Sequence, residues 1–119
     1  IESMPVKSLI TYPKSGVEVP LSKPELSVRG HAWAGDNAVS SVEVSTDFGA
    51  TWTKADLRAP RNPYAWQHFS ATVSFPMKGY YEVWARATDD EGRMQPFAID
   101  WNPKGYLNNS MHRVAVRVV

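Results

Sequence analysis

The stretch LSVRGHAWAGDNAVSSVEVS, residues 26–45, decides the fold class. Its first part, 26–33, alternates. Leu26, Val28 and Ala32 fall on one side, and Ser27, Arg29, His31 and Trp33 on the other. Successive side chains of a strand point to opposite faces, so this pattern predicts a half-buried strand. AGDNA at 34–38 is a turn signal. In VEVS at 42–45, Val42 and Val44 then oppose Glu43 and Ser45. The same alternation extends outward. In SATVSF, 70–75, Ala71, Val73 and Phe75 oppose Ser70, Thr72 and Ser74. In YYEVWARA, 80–87, Tyr81, Val83, Ala85 and Ala87 oppose Tyr80, Glu82, Trp84 and Arg86. In RVAVRV, 113–118, Val114, Val116 and Val118 oppose Arg113, Ala115 and Arg117. KSLITY (7–12) and TWTKADL (51–57) are weaker strand candidates.

Turn signals separate these runs: PKSG at 13–16, DFGA at 47–50, PRNP at 60–63, MKG at 77–79 and DDEG at 89–92. The nine prolines, mostly between the runs, discourage long helices. The reading is all-β: an immunoglobulin-like (E-set type) antiparallel β-sandwich of about seven strands. Half-polar faces fit antiparallel sheets with one wet side. No internal repeat occurs, which excludes a propeller. Residues 96–111, PFAIDWNPKGYLNNSM, have no clean period and read as a structured loop before the last strand.

The 119 residues suit one domain, 1–119, with room for a core. Thirteen basic against twelve acidic residues leave a formal charge of +1. That balance excludes a general nucleic-acid binder, which needs a basic stripe. With no cysteine, the chain has no disulfide, thiolate metal site or cysteine nucleophile. No apolar run approaches the roughly 20 residues of a membrane span. No signal-peptide core precedes the first strand. The chain begins at Ile1 and is read as a fragment or a processed product.

STDFGATW, 45–52, matches the Ser-x-Asp-x-Gly-x-Thr-Trp pattern of the Asp box in sialidase propellers. Each residue has a structural role in a hairpin. Asp47 can accept turn amides. Gly49 can take a positive φ. Ser45 and Thr51 can bond across the ladder, and Trp52 can cover the turn. None is a catalytic group, and a single copy without an arginine cluster cannot make a sialidase. The three histidines, His31, His68 and His112, are not at helix or hairpin spacing. A zinc site would need long-range folding to assemble them, and the default reading is exposed or core-edge imidazoles, with no metal site. No Gly-x-Ser-x-Gly elbow supports a serine nucleophile. DDEG lacks the later ligands of a calcium loop.

The loop DWNPKGYLNNSMHRV, 100–114, is dense in Trp, Asn, Gly and Lys. Such loops can present polar groups to a ligand on a rigid scaffold. The competing reading is that Trp101 and Tyr106 plug the end of the sandwich while Lys104 is solvated.

Four blocks carry a family resemblance: SLITYP near the start, 26–52, WARATDDEGRMQP at 84–96, and WNPKGYLNNSMHRVAVRV at 101–118. In this order and spacing the chain resembles the carboxy-terminal dimerisation domain of the sulfite oxidase family of molybdenum oxidoreductases. The resemblance covers nearly the whole chain. It implies a homodimer, and a parent protein whose separate preceding domain holds molybdenum on molybdopterin through a cysteine. No cofactor is implied within these residues. Further implied partners are that molybdopterin domain and a haem or cytochrome electron acceptor. Bacterial relatives imply the periplasm. In animal and plant sulfite oxidases the matching motif reads Trp-Asn-Leu-Arg-Gly, and its Arg helps to hold the oxyanion. Here WNPKG puts Lys104 at that place. Lysine keeps the charge and loses the bidentate fork. The implied roles are substrate binding for Lys104 and loop fixing for Trp101, Asn102 and Arg113. The implied activity is oxidation of a sulfur oxyanion, with a different molybdenum-enzyme substrate as the runner-up. A stand-alone carbohydrate- or protein-binding module, presenting Trp33 or Trp52, is the alternative from another class.

Overall fold

The computed structural model describes residues 6–35, 38–59, 66–95 and 112–119. Nine strands are present among them: β1 (Lys7–Tyr12), β2 (Val17–Val19), β3 (Glu25–Trp33), β4 (Val39–Ser45), β5 (Thr53–Lys54), β6 (Asp56–Leu57), β7 (Gln67–Ser74), β8 (Gly79–Asp89) and β9 (His112–Val118). They form two sheets, in the orders β1-β3-β7-β6 and β2-β9-β8-β4-β5. The all-β, immunoglobulin-like sandwich read from the alternation is the observed fold.

The alternation works because each sheet buries one side of every strand. Val28, Ala32, Val83, Ala85 and Ala87 are fully enclosed between the sheets. Val42, Val44, Phe69, Val114, Val116 and Val118 complete most of the centre. Valine dominates because a β-branched side chain loses little freedom on a pleated surface. Each such side chain stabilises by about 1.5–3 kcal/mol when fully buried. Gly30 interrupts the row of side chains on β3 for a steric reason. A Cβ there would strike the Leu9 carbonyl oxygen and the Phe69 ring.

Two segments change sheets, which raises the strand count from seven to nine. The chain leaves the four-stranded sheet after Tyr12, through a bulge and a cis Tyr12–Pro13 peptide. It then enters the other sheet as β2, parallel to β9. That pairing is the one parallel ladder among the described residues. The three-residue β2 was too short to show a period. The segment 51–57, read as one strand, is split. β5 pairs with β4 in one sheet and β6 with β7 in the other. Between them the Ala55 amide donates to the Val42 carbonyl at 2.8 Å.

Candidate functional site

The turn at 45–52 is held by one carboxylate. The Ser45 hydroxyl donates to Asp47 Oδ1 at 2.7 Å and itself accepts from the Gly49 amide at 3.0 Å. The Thr51 amide donates to Asp47 Oδ1 at 2.9 Å, and the Thr51 hydroxyl donates to Oδ2. Both hydroxyls therefore converge on Asp47 rather than meeting across the ladder. Donation first from the Thr51 hydroxyl, then from its amide and from Ser45, lowers the Asp47 carboxyl to about 2. Phe48 and Gly49 have φ of 60° and 86°, and the Ala50 amide closes on the Asp47 carbonyl at 3.3 Å. Two positive φ values in the middle of a turn mark type I′. Trp52 Nε1 donates to the Gly49 carbonyl at 3.1 Å.

This turn folds back over the outer face of the five-stranded sheet. Phe48 meets the Trp84 ring edge-on at 6.0 Å, and Trp84 is only 3% exposed. A Cβ on Gly49 would sit 3.1 Å from that ring. Arg113, opposite Trp84 in the β8–β9 register, places its guanidinium 5.6 Å from the ring centre. Glu82 accepts from Tyr80 Oη at 2.6 Å and from Trp84 Nε1 at 2.8 Å. These two donors, Tyr80 first, hold the Glu82 carboxyl below its usual value. Arg86 pairs with Glu43 at 2.9 Å and places its guanidinium carbon over the Trp52 ring, 3.9 Å from the ring centre. The polar groups of this face are spent largely on one another.

The end of the sandwich that carries the β8–β9 connection is braced separately. Gln95 is 2% exposed, and its Oε1 accepts from Ser8 Oγ at 2.6 Å and from the Ala87 amide at 2.9 Å. At the far side of the connection, His112 Nδ1 accepts from the Ile10 amide at 2.7 Å. Burial pushes this imidazole below its ordinary pKa, and the accepted bond also requires an unprotonated nitrogen. Asp89 closes the adjoining turn by accepting from the Glu91 and Arg93 amides and the Arg93 guanidinium. Burial alone would raise its carboxyl; the Arg93 and Glu91 donors together outweigh burial and hold it low. Residues 96–111 are thus entered and left at two points clamped to β1. Lys104, Trp101 and Asn102 lie outside the described residues. Arg113 lies inside them, with the Trp84 ring as its contact.

The outer face of the four-stranded sheet is different again. Trp33 stacks on Trp66 at 5.9 Å, and Lys7 Nζ lies 5.6 and 5.8 Å from their ring centres. His31 meets His68 at 4.4 Å with the rings at 85°. Arg29 lies 4.5 Å from the Tyr12 ring. Beside them, a cleft of about 340 Å³ is lined by Arg29, Asp56, Arg58, His68 and Ser70, among others. Trp33 and Trp52 are both half-buried, so neither is the open platform that a glycan-binding module would present. Sequence reasoning missed Gln95 and the pairing of His31 with His68. The available signal was the placing of His31 on the polar side of 26–33.

The model of the Mo-co oxidoreductase dimerisation domain matches residues 1–119. This chain belongs to that family. The domain is 35% identical over 127 residues to mitochondrial sulfite oxidase of Mus musculus, covering 100% of this chain and 23% of that protein. Against mitochondrial sulfite oxidase of Homo sapiens it is 36% identical over 126 residues, 99% of this chain and 23% of that one. Among solved structures, the sulfane dehydrogenase SoxCD from Paracoccus pantotrophus superposes with a TM-score of 0.77 at 28% identity, over 98% of this chain and 33% of that one. The dimerisation domain thus spans about a quarter of the curated relatives it matches. The enzymes of its family are molybdenum oxidoreductases of the sulfite oxidase type. Among the described residues, no group of three or more His, Cys, Asp or Glu is arranged to hold a metal, and the chain has no cysteine.

Proposed function

We propose that this domain joins two copies of a molybdenum oxidoreductase subunit and lends Lys104 to the anion-binding pocket of its own subunit. The observation that supports the reading is the bracing of the β8–β9 connection. Gln95 and His112 tie both of its ends to β1. A rigid stem lets a loop deliver one side chain to a fixed place on a neighbouring domain. The parent protein would oxidise a sulfur oxyanion at molybdenum held in a preceding domain, and these residues would supply electrostatics only. A lysine ammonium there donates a charge-assisted hydrogen bond, worth about 1.5–3 kcal/mol in a partly dry site.

The test is Lys104→Ala in the intact enzyme. Binding shared equally by ground and transition states raises KM and leaves kcat unchanged. The expected outcome is KM for the anionic substrate raised roughly 10- to 100-fold, with the dimer intact by sedimentation. Unchanged kinetics would assign Lys104 to solvent. A monomeric wild-type protein would remove the homodimer while leaving the role of Lys104 open to the same assay.

A further inference from the structure

We propose that His31 and His68 form a surface chelate for a borderline divalent transition-metal ion, with Cu²⁺ bound most tightly. The two residues are 37 positions apart in the chain and directly opposite in the β3–β7 register. The Arg58 amide donates to the His68 carbonyl at 2.9 Å. The backbone polar groups of residue 68 therefore turn toward β6 and away from β3. Facing β3, His68 is in a non-hydrogen-bonded pair, the class in which opposed Cα atoms approach to about 4.5 Å and side chains lie closest.

The ring centres are already near a chelating spacing. Their centres are 4.4 Å apart and their planes are at 85°. Two imidazoles on one ion, at metal–nitrogen distances of about 2.1 Å and a near-tetrahedral angle, have centres roughly 5 Å apart. The two spacings differ by under about 1 Å. No hydrogen bond to a described residue engages a ring nitrogen of either histidine, so ligation sacrifices no bond among the described residues. His68 is exposed and His31 half-buried, which leaves an approach from solvent. With two protein donors, water completes the coordination shell.

The surrounding charges are arranged tolerably for a cation. Lys7 is drawn to the faces of Trp33 and Trp66, and Arg29 to Tyr12. The cleft that His68 lines carries Asp56 with Arg29 and Arg58, so one carboxylate offsets part of the positive charge near the imidazoles. Imidazole suits Cu²⁺, Ni²⁺ and Zn²⁺, and the order of divalent affinities places Cu²⁺ first.

The experiment is a titration of intact, tag-free protein with Cu²⁺, followed by calorimetry and by nitrogen hyperfine structure in electron paramagnetic resonance. Wild type is expected to take up one Cu²⁺ per chain on two nitrogens. His31→Ala and His68→Ala should each weaken uptake at least about tenfold, since a single exposed imidazole remains. Both residues stand on an outer face, and His68→Asn offers a variant of similar shape. Excess Cu²⁺ should raise the Tm of wild type above that of each variant, because ligand bound to the native state stabilises it. Copper affinity unchanged by both substitutions, or one coordinating nitrogen in wild type, overturns the proposal.

Discussion

Trp84 on β8 and Trp66 just before β7 both stand on outer faces of the sandwich, yet Trp84 is 3% exposed and Trp66 is 40% exposed. The difference lies in what folds over them. Trp84 is covered by Phe48 from the 45–52 turn, approached by Arg113, and bonded through its indole N–H to Glu82. Trp66 has Trp33, His31 and the Lys7 ammonium beside it. On the five-stranded sheet, acids meet bases and phenol or indole donors. On the four-stranded sheet, rings stack on rings, and the two imidazole rings make no hydrogen bond to a described residue. An outer face can thus close on itself, as the first does, or hold donor groups in reserve, as the second does.

The same substitution on each face tests this most strongly. Trp84→Ala is expected to destabilise by about 3–5 kcal/mol, the range for a buried aromatic in a packed environment. Trp66→Ala should cost less, about 1–2 kcal/mol, because 40% of its surface already meets water and its removal from an outer face leaves no enclosed cavity. Urea midpoints at constant slope measure both. Equal losses would dissolve the contrast between the faces.

A smaller effect is expected at the Glu43–Arg86 pair, whose side chains are 22% and 19% exposed. Arg86→Met should cost about 1 kcal/mol, combining a partly screened ion pair with the loss of a cation stacked on Trp52. Added salt should remove only part of the difference, since the stacking contact survives screening. A loss abolished by salt would reduce Arg86 to a surface charge.

The smallest signal comes from a single imidazole, at the clamped end of β9. His112 has a lowered pKa caused by burial. In the window between its ordinary and its lowered value, the unfolded chain binds more protons than the folded one, so stability rises with pH. The contribution is fully present above the ordinary imidazole value of about 6.5, and it is lost as pH falls through the folded value. His112→Gln keeps an acceptor for the Ile10 amide and should flatten the fall of the urea midpoint as pH drops below about 6.5. An unaltered slope would place the titration elsewhere.

The alternation of 26–33, 80–87 and 113–118 named the inward side chains correctly, because a strand's two faces are written into consecutive residues. Trp84 escaped that logic. It was read as outward, and it is outward, but the Phe48–Gly49 turn buries it from outside. The turn chemistry of 45–52 was legible in Asp47 and Gly49. The positive φ of Phe48 was not, since nothing local marks a phenylalanine for that conformation. β2 was missed because three residues carry no period, and 51–57 was read as continuous because the sheet switch at Ala55 leaves no mark in polarity. For the candidate site, WNPKG stood out by composition and by family likeness, whereas the anchoring by Gln95 and His112 did not.

By itself, the order of residues determined an all-β chain, its turns, its inward faces and its family. These follow from polarity, glycine and proline acting over a few neighbouring positions. Tertiary structure alone decided which strands become neighbours and in what register. That choice sets His31 against His68, seats Arg113 over Trp84 and ties Gln95 and His112 to β1. Such pairings depend on closing two sheets over one core, a condition met by the whole chain at once and by no segment alone.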